Sequence, residues 1–587
     1  MNFLENEKQT QLLVDKIYKK SNTISIIRFV LMIGIITFLL LGYFQKNTLF
    51  YIISFVYLFF FIAFVFVHDK VKKELSYNQA LLEVYHEHVL RMNNQWDTFV
   101  EDGSSFVDEK DYTSLDLDVF AHHSLFQMIN ICFTYGGKKK LAQSLSNKDF
   151  SNVKNRQQAT LELSQDSQFV VEMQTYGKMT HIKKESMIYD YLQSIKDNQY
   201  KPFFPYIMIF PIIAIVSIVL ASLSIGYPYT YIVAEVVIVF QLFLSFFLSK
   251  THGEIFEPIR VFDKSLRSYV SIFELIQKQN WNSRYLQNIH KQLFKDSDVL
   301  NGIKELSKIA QRVSYRNNLF AFLILNGLGL YEIYMRNQYI KWLNHYQDDI
   351  RIWFDCLAEL EALMSLSVLK IDEFDVTLPT IVEKQSLQLS FQDLRHPLID
   401  QQKVVGNSFK MNNSVCIITG SNMSGKTTFM RTVGLNLILA YAGGFVFGES
   451  MECSCMNILT SMRVKDNVEE GVSTFYGELL RIKTMIDFSN QQVPLICLID
   501  EIFKGTNSLD RIAGAKATIE KLSQPHIFTF LTTHDVELCQ SQVIEVQNHH
   551  FEEYYDNQKI YFDYLIKDGK SQTTNGQFLL RQLGIMK

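Results

Sequence analysis

The stretch that most constrains the fold of this chain lies at 415–431, with the sequence V-C-I-I-T-G-S-N-M-S-G-K-T-T-F-M-R. A β-branched run, Val415–Thr419, is followed by a loop with the spacing G-x-x-x-x-G-K-[ST] and then by a helix-like segment at 428–441. Between a strand and a helix, this spacing is that of a phosphate-binding P-loop. The sequence therefore predicts a site for a nucleoside triphosphate.

Residues of this loop have separate expected roles in holding the triphosphate. The Lys426 side chain is expected to reach the β- and γ-phosphates, and the Thr427 hydroxyl is expected to bind Mg²⁺. The glycines allow backbone N–H groups to close around phosphate oxygens, and the following helix directs its positive dipole end toward them. The predicted nucleotide-binding residues are Gly420, Ser421, Asn422, Met423, Ser424, Gly425, Lys426, Thr427 and Thr428.

Two apolar strands after the P-loop end in residues suited to phosphate chemistry. The run at 495–499 is followed by Asp500 and Glu501. Asp500 is expected to support Mg²⁺, and Glu501 is placed to polarise the attacking water. The run at 528–533 ends at His534, and the carboxyl end of a strand in an open α/β sheet faces the ligand crevice. His534 is therefore a candidate sensor of the γ-phosphate, with a hydrogen-bonded surface histidine as the alternative.

Four long apolar runs contribute much of the hydrophobic 48% of the chain. They lie at 24–44, 48–67, 203–225 and 229–249. Each is close to the roughly 20 residues that an α-helix needs to cross a bilayer. The short connections within each pair predict two transmembrane hairpins, with four buried core helices as the alternative. A lipid bilayer is therefore an expected partner.

The distribution of basic residues predicts how these hairpins are oriented. Lysines or arginines precede and follow each hairpin, whereas the two connecting tips hold one lysine between them. Because the cytoplasmic loops of membrane proteins carry the excess of Lys and Arg, both termini and the segment between the hairpins are expected in the cytoplasm. The sequence thus predicts a multi-pass protein of the cell membrane.

Charge and cysteine content limit the other expected partners. The net charge of −4 provides no general basic field for nucleic acid, so any DNA contact needs a local patch. The tight basic cluster at 138–140 is a candidate phosphate contact, or else a solvated helix face near an anionic membrane. The cysteines do not predict a metal site. Cys453 and Cys455 are not followed by a second Cys or His pair at ligand spacing, so no structural metal is expected. The seven scattered cysteines indicate reduced thiols.

Four motifs occur in a fixed order in the C-terminal part. They are G-S-N-M-S-G-K-T-T-F-M-R at 420–431, S-T-F-Y-G-E-L at 473–479, D-E-I-F-K-G-T at 500–506 and T-T-H-D-V-E-L at 532–538. Their order and spacing resemble the ATPase motifs of the MutS mismatch-repair family. The segment at 395–398 resembles the lead-in of that family, and 124–156 resembles the start of its core and lever region more weakly.

This resemblance implies a nucleotide, a metal and an assembly. ATP is the implied nucleotide and Mg²⁺ the implied metal. In MutS-like ATPases two such domains pack head to tail, and each lends a signature segment to the nucleotide of the other. By resemblance that segment is 472–475, with Ser473 at the γ-phosphate bound by the partner. A homodimer is therefore implied.

The chain departs from those MutS proteins that recognise mismatches. The tripeptide at 3–5, F-L-E, matches the Phe-x-Glu reading motif, but about twenty residues separate it from the first apolar run, so we interpret the match as chance. A membrane hairpin stands where the DNA clamp at the far end of the lever is expected. Ser421 and Ser424 replace residues that are Pro and Gly in most relatives, a change that the phosphate chemistry should tolerate. Mismatch specificity is therefore not expected.

The predicted fold is an α/β P-loop ATPase domain of the ABC and MutS type at the C-terminus, joined to a mostly α-helical core and lever region that two transmembrane hairpins interrupt. The predicted divisions are a cytosolic N-terminal segment at 1–23, a hairpin at 24–67, the core and first part of the lever at 68–202, a second hairpin at 203–249, the returning lever at 250–378 and the ATPase domain at 379–587.

Three function classes remain open from the sequence. The first is a membrane-anchored MutS-like ATPase that acts on DNA or on a DNA-repair partner. The second is a MutS-derived ATPase that drives conformational change in a membrane partner without binding DNA. The third, an ABC transporter, is disfavoured because its L-S-G-G-Q signature is absent and S-T-F-Y-G-E-L occupies the equivalent place.

Overall fold

A computed structural model of the chain describes residues 1–146, 149–180, 205–226, 228–383, 386–463, 474–504, 506–540, 545–556 and 559–571. Its N-terminal part consists of two antiparallel helices, α1 (Phe3–Gln45) and α2 (Thr48–Met92), joined by two residues. The Asn47 side chain accepts a hydrogen bond from the Leu49 N–H and so caps α2. The helix α1 is continuous across residue 23, where a separate N-terminal segment was expected to end.

Further helices up to residue 371 form the helical region. They are α3 (Tyr112–Asp116), α4 (Leu125–Ile129), α5 (Tyr135–Leu145), α6 (Val153–Gln165), α7 (Ser167–Lys178), α8 (Ile209–Ser222), α9 (Tyr229–Gln277), α10 (Arg284–Phe294), α11 (Val299–Val313), α12 (Leu319–Gly329) and α13 (Tyr331–Ile371). The 41-residue α13 packs against α5, α6 and α11 and leads directly to the C-terminal domain.

Three helices are long and apolar enough to cross a membrane, judged by length and composition. They are α1, α2 and the first part of α9, Tyr229–Leu248. The predicted run at 203–225 contains the 14-residue α8, which is shorter than a spanning helix, and residues 203–204 lie outside the described residues. Of the four predicted spans, three therefore have a helix of sufficient length in the described part of the chain.

A buried carboxylate on α13 fixes the start of α5. The Oε2 atom of Glu361 accepts hydrogen bonds from the N–H groups of Phe133 and Thr134, both at 2.9 Å. The Thr134 hydroxyl donates to Glu361 Oε1 at 2.8 Å and accepts from the Gly137 N–H, which caps α5. A β-carbon on Gly137 would lie 2.3 Å from Glu361 Oε2, so a larger residue does not fit at this contact.

A six-stranded sheet, in the order β14-β11-β5-β10-β9-β8, forms the centre of the C-terminal domain. The strands of the domain are β1 (Val376–Thr377), β2 (Thr380–Ile381), β3 (Leu389–Leu394), β4 (Asn407–Lys410), β5 (Val415–Thr419), β6 (Val446–Phe447), β7 (Ser450–Cys453), β8 (Asn457–Ser461), β9 (Leu495–Asp500), β10 (Ile527–Thr533), β11 (Val546–His550), β12 (Glu553–Asp556), β13 (Lys559–Phe562) and β14 (Lys567–Asp568). In the central sheet β14 is antiparallel to its neighbour and the other five strands are parallel.

Helices cover both faces of this sheet. One face packs against α14 (Lys426–Ala442), in the same hydrophobic core as much of the helical region. The other face packs against α15 (Thr474–Ser489) and α16 (Ser508–Leu522). The register of the parallel strands aligns their carboxyl ends, with Thr533 opposite Thr419 and Thr532 opposite Asp500. Residues that follow β5, β9 and β10 therefore meet at one edge.

A second buried carboxylate joins the helical region to the C-terminal domain. Asp116, at the end of α3, is fully buried. Its Oδ2 atom accepts hydrogen bonds from the Thr460 hydroxyl at 2.7 Å and the Met462 N–H at 3.0 Å. The Arg481 guanidinium donates to the same oxygen at 2.8 Å and lies 4.2 Å from the centre of the Tyr112 ring. Asp116 thus connects α3 to both β8 and α15.

Replacing Asp116 with alanine is expected to lower the free energy of unfolding by about 3–5 kcal/mol, because it leaves the Arg481 charge buried without its carboxylate. The measurement is thermal unfolding of the detergent-solubilised full-length protein. Glu109→Ala is the control, since Glu109 is an exposed carboxylate in the same segment. Equal unfolding midpoints for the two variants would contradict the expectation.

Candidate nucleotide-binding site

The P-loop connects the carboxyl end of β5 to the amino end of α14. Gly420 has a φ of 149° and Gly425 a φ of 110°, which glycine adopts readily and other residues do not. A β-carbon on Gly420 would also lie 2.7 Å from the Phe551 carbonyl oxygen. Because Lys426 is the first residue of α14, the loop lies where the helix dipole favours negative charge.

The Lys426 ammonium is folded over its own loop. Its Nζ atom donates hydrogen bonds to the carbonyl oxygens of Gly420 at 2.9 Å and Ser421 at 2.7 Å, and the residue is buried. Burial lowers the pKa of Lys426 from its usual value, although the Glu501 and Asp500 carboxylates act in the opposite direction. The structure therefore supplies one buried cation at the centre of the loop.

A hydroxyl and a carboxylate meet beside this cation. The Thr427 hydroxyl donates a hydrogen bond to Asp500 Oδ2 at 2.8 Å, and the Thr532 hydroxyl donates to Asp500 Oδ1 at 2.6 Å. Oxygen ligands of this kind suit Mg²⁺, which proteins usually bind through one or two carboxylates together with phosphate oxygens and water. Thr427 and Asp500 thus fit the Mg²⁺ that the motifs imply.

Glu501 follows Asp500 and is held in place by three hydrogen-bonding groups. Its N–H donates to the Thr532 hydroxyl at 2.9 Å. Its carboxylate lies 3.2 Å from His534 Nε2 and 3.1 Å from Lys504 Nζ. The hydrogen bond from His534, aided by Lys504 and opposed by burial, lowers the pKa of Glu501 to about 2. Glu501 is therefore ionised at neutral pH and able to accept a proton.

His534 lies between the P-loop and Glu501. Its Nε2 atom is 2.9 Å from Asn422 Oδ1 and 3.2 Å from Glu501 Oε1. The residue after β10 thus lies beside the loop, and its role as a sensor of the γ-phosphate stays a prediction. The imidazole connects the side chain of a loop residue to the carboxylate at the end of β9.

The two serines that depart from the usual family loop have different surroundings. The Ser421 hydroxyl donates to the buried carboxylate of Glu553, in β12, at 2.7 Å. The Ser424 hydroxyl is buried and has no hydrogen-bond partner among the described residues. A buried hydroxyl inside a loop of N–H groups is a polar group that a phosphate oxygen or water would satisfy.

The remaining predicted residues are at the rim of the loop or outside the described residues. Met423 is 86% exposed at the loop tip, and Thr428 is exposed on the first turn of α14. Ser473, the predicted signature residue, lies outside the described residues, immediately before α15.

Two side chains near the site were given no role from the sequence. Thr532 bonds both Asp500 and Glu501, and Glu478, on α15, accepts a hydrogen bond from the Phe503 N–H at 2.6 Å. Both residues lie inside the motifs at 532–538 and 473–479, so the motifs marked the segments but not these contacts. Through Glu478, α15 contacts the segment that follows Glu501.

Comparisons with known proteins match the part of the chain that carries this site. The model of MutS domain V matches residues 416–583, which include the P-loop, Asp500, Glu501 and His534. The DNA mismatch repair protein MutS of Carboxydothermus hydrogenoformans is 29% identical to this chain over 268 residues. The C-terminal domain of this chain is a MutS domain V. The similarity to that MutS protein covers 43% of this chain and 31% of the relative, so the chain spans about a third of the relative's length.

The helical region is linked to α14, in this MutS domain V, through Arg156. The Arg156 Nε atom donates to the Ala442 carbonyl oxygen at 2.9 Å, at the end of α14. Its Nη1 atom donates to Glu359 Oε1, on α13, at 2.6 Å. The helix that begins with Lys426 and the 41-residue α13 therefore share one arginine.

Proposed function

We propose that this chain is a membrane-anchored ATP hydrolase that uses Mg²⁺. The observation that carries the proposal is the meeting of four side chains at one edge of the sheet. The Thr427 hydroxyl is hydrogen-bonded to Asp500, and the adjacent Glu501 is ionised and bonded to His534. A metal ligand pair beside an ionised carboxylate is what hydrolysis of a phosphoanhydride requires.

Each residue has a distinct proposed role in the reaction. Lys426 neutralises phosphate charge, and Thr427 with Asp500 holds Mg²⁺, which when bound polarises phosphate oxygens. Glu501 accepts a proton from the attacking water. His534 holds the Glu501 carboxylate in position and is near enough to the loop to respond to the γ-phosphate.

We propose a head-to-tail homodimer as the active form. Ser473 of one copy would reach the γ-phosphate bound by the other copy, as the family resemblance implies. The helix α15, which follows Ser473, contacts the Phe503 N–H through Glu478. Binding of this segment to the nucleotide of the other copy would therefore affect, through Glu478, the position of the residues next to Glu501.

The lipid bilayer is the proposed partner of two hairpins, α1 with α2 and α8 with α9, each of which returns the chain to the side from which it entered. Their apolar stretches expose large side chains, including Phe55 and Phe66, each 72% exposed. Continuous apolar surface of this extent is unfavourable in water and marks an interaction site. With basic residues flanking the apolar stretches, we place both termini and the C-terminal domain in the cytoplasm of the cell.

This orientation predicts which introduced cysteines a membrane-impermeant maleimide modifies in intact cells. Lys46→Cys, at the tip between α1 and α2, should be labelled from outside. Asp568→Cys, whose native side chain is 99% exposed, should be labelled only after permeabilisation. Labelling of Asp568→Cys in intact cells would contradict the cytoplasmic ATPase, and failure to label Lys46→Cys would contradict the first hairpin.

Two ion-pair groups support transmission of motion from the nucleotide site to the membrane helices. Arg156 connects the end of α14 to Glu359 on α13. At the end of α13, Asp372 Oδ2 accepts a hydrogen bond from Arg91 at 2.9 Å, and both side chains are buried. Arg91 belongs to α2, which continues into an apolar stretch. We propose that a change at α14 reaches the bilayer through these contacts.

DNA is the second proposed partner, because the relative that matches this chain is a DNA mismatch repair protein. In the described part of the lever region, two lysines of the basic cluster at 138–140 are already paired with carboxylates. Lys138 lies 3.3 Å from Glu101, and Lys140 lies 3.3 Å from Glu359. The alternative, an ATPase that acts on a membrane partner without binding DNA, is favoured by these pairings.

We expect no preference for a mismatched duplex over a matched one. We expect any duplex binding to be weak, because few phosphates would be neutralised, and to weaken steeply as salt rises, because it would rest on charge alone. The measurement is a salt titration of binding to both duplexes by the detergent-solubilised protein, with and without ATP. The same samples report whether DNA stimulates hydrolysis. A tenfold or greater mismatch preference, about 1.4 kcal/mol, at physiological salt would contradict this expectation and indicate a repair sensor.

A further inference from the structure

An apolar helix that the sequence patterns did not single out lies next to the α9 span. The helix α12 has 11 residues, and the chain carries no charged residue from 317 to 331. One side of α12 is exposed although it is wholly apolar. The exposed side chains are Leu319, Phe320, Leu323, Ile324 and Leu328, of which Phe320 is 77% and Ile324 60% exposed. The opposite side of α12 packs on α8 and α9.

Contacts along α9 place the two ends of α12 at different depths. A β-carbon on Gly327, near the end of α12, would lie 3.4 Å from Ile238 and 3.6 Å from Leu242. These two residues are in the middle of the Tyr229–Leu248 span. The guanidinium of Arg316, just before α12, lies over the Phe256 ring at 5.6 Å, beyond the end of that span.

The distances agree with a helix that enters a bilayer and stops halfway. Leu242 and Phe256 are 14 positions apart on α9, or about 21 Å at the rise of an α-helix. The 11 residues of α12 extend about 16 Å, close to half of a hydrocarbon core of about 30 Å. Within α12 the chain thus rises from Arg316 toward the middle of the span, and the buried carboxylate of Glu332, beyond the deep end, faces the Arg316 guanidinium at 3.1 Å rather than lipid.

The turn at the deep end has the hydrogen bonds that lipid requires, since hydrocarbon offers none to a free N–H group. The Leu330 N–H donates to the Asn326 carbonyl oxygen at 3.2 Å, and Leu330 adopts a left-handed conformation with φ 47°. The buried Asn326 side chain accepts from the Glu332 N–H at 2.9 Å and donates to the Phe322 carbonyl oxygen at 3.0 Å. At the shallow end, Asn318 caps the Ala321 N–H.

We propose that α12 is a re-entrant helix whose exposed apolar side is embedded in the cytoplasmic half of the lipid bilayer. The chain returns as α13, whose start follows the embedded α12 and whose end is followed by Asp372, paired with Arg91 of α2. The inference rests on the proposed membrane crossing of α9. It adds a third point at which the helical region meets the membrane, besides the two hairpins.

The test is the accessibility of a spin label to oxygen and to a water-soluble nickel complex, with the full-length protein in vesicles of phosphatidylcholine and phosphatidylglycerol. Ile324→Cys is the test variant, with Phe320→Cys as a second site if the first does not fold. Val239→Cys reports a mid-span position of α9, and Leu509→Cys reports an exposed apolar residue of the C-terminal domain (59% and 83% exposed in the native chain). All are made with Cys455→Ser, which removes the native cysteine that is not buried.

The label at Ile324→Cys should favour oxygen over nickel as the label at Val239→Cys does, whereas Leu509→Cys should favour nickel. If Val239→Cys favours oxygen and Ile324→Cys favours nickel, α12 lies in water and the re-entrant helix is refuted while the α9 span stands. If Val239→Cys itself favours nickel, the membrane crossing fails. If neither reagent reaches the label at Ile324→Cys and the spectra show dipolar broadening between labels, a second copy of the chain covers the exposed side of α12. That result would also refute lipid contact.

Discussion

The Glu501→Gln variant is expected to bind ATP as tightly as the wild-type protein and to hydrolyse it about 10²- to 10⁴-fold more slowly, the range typical of general base catalysis. Glutamine has almost the same shape and keeps an oxygen that accepts the hydrogen bond from His534, but it cannot take a proton from water. Binding is measured by titration with a fluorescent ATP analogue, and hydrolysis by phosphate release.

A matched control separates catalysis from general damage. Glu520→Gln makes the same chemical change at an exposed position on α16 and should hydrolyse ATP at the wild-type rate. Hydrolysis at the wild-type rate by Glu501→Gln would mean that another group activates the water.

The pH dependence follows from the same carboxylate. The pKa of Glu501 is lowered from the usual 4.5 to about 2, so folding favours its ionised form. Its contribution to stability is fully present above pH 4.5 and is lost as the pH falls toward 2. Protonation of Glu501 should therefore cause no loss of hydrolysis between pH 5 and 7, and any decline in that range must come from another group.

Lys426→Ala is expected to abolish measurable ATP binding rather than to slow hydrolysis alone. The variant removes the buried cation at the centre of the loop and leaves the carbonyl oxygens of Gly420 and Ser421 without their donor. The negative charge of the triphosphate then has no direct counter-charge in the loop. The measurement is the same nucleotide titration, with circular dichroism to show that the helices remain.

Lys403→Ala is the control for this loss. Lys403 is 81% exposed, in the same domain, and pairs only with nearby Asp400 among the contacts observed for it in the described residues. It should bind ATP as the wild-type protein does. Retained ATP affinity in Lys426→Ala would show that the nucleotide is not bound through this loop.

Local sequence patterns were sufficient for the strands and loops around the nucleotide site. The strand at Val415–Thr419 has the bounds that its β-branched residues predict, and the helix expected at 428–441 is observed as Lys426–Ala442. The motifs do not specify how the strands pair, but the observed parallel register places the motif residues where an open α/β sheet is expected to place them. The residues after β5, β9 and β10 meet at one edge.

Long-range contacts and short apolar helices were not predictable in this way. Asp116 bonds residues about 345 positions away, such as Thr460 and Met462, and no local pattern marks a carboxylate with such partners. The helix α12 is shorter than the roughly 18 apolar residues that signal a spanning helix, so its apolar run reads as part of a helical core. Its exposed side becomes visible only when its neighbours α8 and α9 are in place.

Whether this chain hydrolyses ATP is measured as phosphate release by the wild-type protein, reconstituted in lipid nanodiscs with ATP and Mg²⁺. We expect saturable release that EDTA abolishes and that far exceeds the rate of Glu501→Gln measured in parallel. Release no faster than that of Glu501→Gln, from protein that binds ATP and unfolds at the same temperature as the variant, would contradict the assignment of this chain as an ATP hydrolase.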